Sequence, residues 1–141
     1  MDVPEIRRRL RGAIEKARHA AAERRVRTDA AARDYEAFLG QRATPLFHQF
    51  AGALNAEGYA FKVFTPAASI RLAADRSPEQ FIELSLDDTS DPPAVVGRTT
   101  RGRGRRMITS ERPIGSTPIA DLTEEDVLAF LVEEIVELIE R

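Results

Sequence analysis

The chain predicts an α+β fold: N-terminal helices, an antiparallel meander of about five strands and a C-terminal helix, with the helices packed on one face of the sheet. Three observations predict it. Apolar residues keep a helical 3–4 spacing up to Leu54, they alternate in strand fashion from Tyr59 to Arg112, and a helix-start signal at Thr123 then opens a strongly apolar final segment. A length of 141 residues fits one such core.

Residues 2 to about 39 are rich in Ala, Arg and Glu, carry Gly only at position 12 before Gly40, and have no Pro after Pro4, the composition of a long helix. Val3, Ile6, Leu10, Ala13, Ala17 and Ala20 form a seam suited to packing on one other helix, but the next seam position is Arg24. Thr28-Asp29 is a second start signal, after which Tyr35, Phe38 and Leu39 resume the apolar face. The expectation is two helical segments, or one long helix weakened between Arg24 and Asp29. Residues 1–33 read as a helical extension or interaction helix, with Ile6, Leu10 and Ile14 as its large contact residues, and residues 34–141 as the α+β domain.

Pro45 suits the first turn of the next helix, where its missing N–H costs nothing, and Leu46, Phe47, Phe50, Ala51 and Leu54 give that helix one apolar face. Gly58 is the expected left-handed residue that ends it. Residues 60–65 and 69–74 alternate as a hairpin around Pro66-Ala67-Ala68, residues 80–87 give a third strand, and residues 94–100 and 105–112 form a second hairpin around Gly102-Arg103-Gly104. Arg112 to Pro118 is connector, its two prolines being unsuited to a central strand. Thr123 and Asp126 then form a capping box, with Glu124 and Glu125 in the first turn. The apolar residues of the last helix, from Val127 to Ile139, cover so much of its circumference that burial on two sides is expected.

The net charge of −2 conceals a segregation. Residues 1–33 carry +5, residues 34–97 carry −5, residues 98–112 carry +5 and residues 113–141 carry −7. Such blocks suit self-association or docking of basic on acidic parts, as well as a nucleic-acid partner. Only Lys16 and Lys62 among the 21 basic residues are lysine, so arginine density in itself is given no weight and only clustering is. The absence of cysteine excludes disulfides, thiolate metal sites and a cysteine nucleophile. The start, Asp2 to Arg9, lacks the apolar core of a signal peptide, and the most apolar segment is too short and too acidic to span a bilayer. A cytoplasmic chain with no membrane partner is expected.

The clearest candidate site is Gly97 to Arg106, in which Arg98, Arg101, Arg103, Arg105 and Arg106 offer bidentate donors to an anion or an acidic partner. The competing reading is a solvated hairpin tip. Strand alternation sends these arginines to both faces, and no aromatic side chain is interleaved for base stacking. Arg7 to Arg9, Arg11, Arg24, Arg25 and Arg27 offer a second basic cluster, diluted by Glu5, Glu15 and Glu23. No catalytic constellation is found: His19 and His48 are isolated, Asp87, Asp88 and Asp91 read as turn formers, and Asp75, Glu83 and Asp87 resemble nuclease carboxylates without the lysine that should follow. No cofactor and no metal site is expected. The expected function is a non-catalytic interaction module that self-associates or serves as a small subunit or adaptor of a larger assembly, its partner a protein or a second copy. The alternative is a nucleic-acid-binding accessory protein that uses the arginine hairpin.

Overall fold

A computed structural model describes residues 1–115 and 118–139, so Ser116 and Thr117 of the connector lie outside the described residues. The first helix, α1, is continuous over Val3–Phe38, with no break between Arg24 and Asp29. Asp2 caps it, its carboxylate accepting the Glu5 N–H at 2.9 Å, and Pro4 sits in the first turn. The chain does not stop at Gly40. It passes through a π turn, Leu39–Ala43, directly into α2, Thr44–Ala56. Pro45 explains the wider turn: it has no N–H to return to the preceding turn, and the Thr44 N–H reaches back five residues to the Leu39 carbonyl. Helix α2 ends as its sequence predicts. Gly58 adopts φ +92°, its N–H bonds the Asn55 carbonyl and the Tyr59 N–H bonds the Leu54 carbonyl, the paired bonds of a Schellman motif.

Five antiparallel strands follow in meander order: β1 Phe61–Phe64, β2 Ile70–Ala74, β3 Phe81–Asp87, β4 Ala94–Arg103 and β5 Arg106–Pro113. Register places Val63, Leu72, Ile82 and Thr99 in one row and Ile70, Leu84 and Gly97 in the next, all on the helix-covered face. A short 3-10 turn, Ile119–Asp121, leads to α3, Glu124–Ile139. The capping box forms in full: Asp126 N–H donates to the Thr123 hydroxyl, and Thr123 N–H donates to the Asp126 carboxylate.

The core lies between one sheet face and the helices. Helix α2 covers β1 and β2 with Phe47, Ala51 and Leu54, while α3 covers β3 and β4 with Val127, Phe130, Leu131 and Ile135. Close approach of α3 depends on Gly97, because a Cβ there would stand 2.1 Å from the Phe130 ring. That glycine therefore serves packing and not the approach of a ligand. Arg112 adds a polar fastening, with Nε 3.1 Å from Glu134, Nη2 2.6 Å from Glu133 and its guanidinium over the Phe130 ring. The last turns of α1 cross the end of the sheet, where the Tyr35 hydroxyl donates to the Ala68 carbonyl and Arg27 pairs with Asp91 at 3.2 Å. Burial, and secondarily the Glu83 charge, push the Tyr35 phenol up to about 12, so it stays a donor.

Candidate functional site

The arginines of the candidate hairpin divide between different environments. Arg98 and Arg101 lie within β4, three residues apart and so on opposite faces, and both find partners inside the chain: Arg98 Nη2 is 3.4 Å from Glu83, and Arg101 Nε is 3.4 Å from Glu137 of α3. Arg103, Arg105 and Arg106 form the tip around Gly104 at φ +64°, are exposed, and engage in no ion pair among the described residues. The tip is thus three cations wide. Replacing Arg103, Arg105 and Arg106 with Ser is expected to change the unfolding free energy by less than about 1 kcal/mol, as for other exposed charges. A larger loss in urea titration would make the tip part of the fold.

The uncovered sheet face holds an arrangement that the sequence pattern hides. Register aligns Arg71, Glu83, Arg98 and Glu111 across β2 to β5, a row of alternating charge. Glu83 is only 5% exposed; Arg71 Nε lies 2.6 Å from it and stacks 4.0 Å above the Phe81 ring, and Arg98 closes the other side. The Arg98 Nε is buried with no hydrogen-bond partner among the described residues. A buried carboxylate held by two cations is a structural clamp. The signal for it was present in the alternation, which puts residues 71, 83 and 98 on the face away from the core, but only the register brings them opposite one another.

The carboxylates that resemble a nuclease set do not converge. Asp75 pairs with Lys62 at 3.0 Å, Glu83 is held as described, and Asp87 turns back on its own loop. The Thr89 hydroxyl and N–H hold the exposed Asp87 carboxyl below its usual range, as an Asx turn does. His19 lies beside Glu23 on the exposed part of α1, His48 is exposed on α2, and no group of three metal-ligating side chains occurs among the described residues. A cleft of about 780 Å³ beside β1 presents Tyr59, Arg76, Ser77 and Gln80, and among the described residues its lining includes no His, Asp or Glu.

The third predicted site, the interaction helix, is the most exposed. From Arg27, which pairs with Asp91, onward α1 rests on the domain through Ala31, Tyr35 and Phe38, whereas the turns before it project into solvent. Ile6 (51% exposed), Leu10 (56%) and Ile14, with Val3, stand on that projecting part. At 1.5 Å per residue, residues 3–27 extend roughly 37 Å. The expected two-sided burial of α3 is not met within one chain: Leu128, Val132 (52%) and Val136 (49%) form an exposed stripe opposite the core. Among the described residues no helix is long and apolar enough to cross a membrane. No protein-family model matches the chain, and no curated protein or solved structure shows significant similarity to it.

Proposed function

We propose that the chain is a non-catalytic interaction module that self-associates, acting as a small subunit or adaptor of an assembly. The observation that carries this reading is the projecting half of α1, a capped helix that presents Val3, Ile6, Leu10 and Ile14 to solvent on the same face that buries Tyr35 and Phe38 further along. A free helix of this kind is at best marginal in water, and its apolar seam adds a cost that burial against a partner removes. The bare stripe on α3 and the opposite charges of residues 1–33 and 113–141 support the same reading. A cytoplasmic location goes with it as a proposal.

Deleting residues 1–27 is the test. The remaining chain keeps Ala31, Tyr35 and Phe38, so it is expected to retain a single cooperative thermal transition. In light scattering, the full chain is expected at a multiple of its own mass and the truncated chain at a lower state. Loss of the thermal transition would place the segment in the core, and a monomeric full chain would defeat the reading.

The second reading is a nucleic-acid accessory protein, favoured by the three tip arginines that lack ion pairs among the described residues. It requires duplex or single-strand binding that weakens steeply with salt and loses up to about three units of that slope when Arg103, Arg105 and Arg106 are replaced with Ser.

A further inference from the structure

The bare stripes on α1 and α3 are both apolar and flanked by opposite charge, and they cannot meet within one chain. On α1 the seam Val3, Ile6, Leu10 and Ile14 is bordered on one side by Arg7, Arg11 and Arg18 and on the other by Lys16 and by Arg9, which pairs with Glu5 on the same helix, positions that follow from 100° per residue. On α3 the stripe Leu128, Val132 and Val136 recurs every four residues, and the helix contains six acidic residues and no basic one. Arg101 and Arg112 neutralise part of that charge from the sheet, but Glu124 and Glu125 have no ion pair among the described residues. Contact lengths agree as well: the α1 seam from Val3 to Ile14 is roughly 16 Å long and the α3 stripe from Leu128 to Val136 roughly 12 Å. Because α1 runs unbroken from Val3 to Phe38, its projecting half has no hinge on which to fold back onto its own α3.

We infer that the projecting half of α1 docks on the outer stripe of α3 in a second copy of this chain. The inference rests on the self-association proposed above and names the surfaces that make it. Charge selects this pairing over its rivals. Two α1 seams face to face would bring their basic borders together, and two α3 stripes would oppose acid to acid, whereas α1 on α3 sets Arg and Lys beside Glu. A single contact of this length is small for a stable assembly, which needs about 1,200 Å² or more. Reciprocal exchange, each copy giving α1 and receiving one, doubles the contact, closes on itself and leaves neither stripe bare.

The absence of native cysteine makes a disulfide test specific. Full-length Leu10→Cys and Val132→Cys proteins, each altered at an exposed position, are refolded separately and as an equimolar mixture, then oxidised mildly. Solution mass is measured on the unaltered chain in parallel. The expected result is a disulfide-linked pair in the mixture, little from either protein alone, and a solution mass that falls at high salt. Linkage from Leu10→Cys alone would show that α1 pairs with α1, overturning the α3 site while the self-association reading survives. Linkage from Val132→Cys alone, or an assembly without any linkage, would overturn it likewise. A one-chain mass at low salt would overturn both.

Discussion

Leu131→Ala is expected to lower the unfolding free energy by about 2–5 kcal/mol, the range for removing a large aliphatic side chain from a packed interior. Leu131 is fully buried in the middle of α3, among the side chains of the cluster that joins α3 to the sheet and α2. Four helical positions supply that contact, Val127, Phe130, Leu131 and Ile135, and Gly97 lets the Phe130 ring come down onto β4. The Leu131 site therefore has little freedom to collapse around a smaller residue, because the backbone of β4 already fixes the helix height. The adjacent Val132→Ala supplies the contrast. Its side chain is half exposed in the single chain, so the loss in a monomeric preparation should stay below about 1 kcal/mol. Urea titration of both, with an unchanged m-value, checks the pair. A loss below about 0.5 kcal/mol for Leu131→Ala would mean that α3 is not part of the core.

That contrast also marks what the residues alone could disclose. Punctuation was legible because it is local: Gly58 takes the left-handed conformation its place after Leu54 implies, and Thr123 and Asp126 cap α3 reciprocally. Strand alternation was legible for the same reason, and Ile70, Leu72, Ile82 and Leu84 lie on the core face. The passage from α1 to α2 was less so, since a loosened pattern from Gly40 and a proline start at Pro45 fit two helices or one kinked element equally, and the chain takes the second course by widening one turn instead of leaving the helix. Of the two expectations for the N-terminal segment the single long helix holds, and Thr28 opens no second segment, because the continuous backbone of α1 needs no second cap. The breadth of the apolar surface on α3 was visible, but how much of it one copy buries depends on the lateral position of α2, which no periodicity encodes.

The candidate site shows the same division. Clustering singled out Arg98, Arg101, Arg103, Arg105 and Arg106, and only the structure separates the tip from the two that are paired with Glu83 and Glu137. Gly97, grouped with them by position, makes room for an aromatic ring from a helix 33 residues further along the chain. Such partners are set by strand register and helix placement, both long-range properties. Ile6, Leu10 and Ile14 were legible because they are exposed on the part of α1 that leaves the domain, where helical periodicity alone sets which residues share a face.

The clamp around Glu83 yields the second large effect. Replacing Arg71 and Arg98 together with Met removes both cations while retaining apolar cover over the carboxylate, and is expected to cost about 3 kcal/mol, the low end for orphaning a buried charge. The low end applies because the two arginine side chains are themselves 34% and 41% exposed, so water stands close to the group they hold. Adding Glu83→Leu to the same protein should recover most of the loss, since a buried ion pair exchanged for apolar residues of similar volume is often neutral or stabilising. Equilibrium urea unfolding of the double and triple variants separates the contributions. Recovery in the triple variant assigns the loss to the uncompensated carboxylate. Failure to recover would assign it to the packing of the Arg71 stem and guanidinium on Phe81, and a double variant within about 0.5 kcal/mol of the original chain would show that Glu83 is solvated despite its position in the sheet.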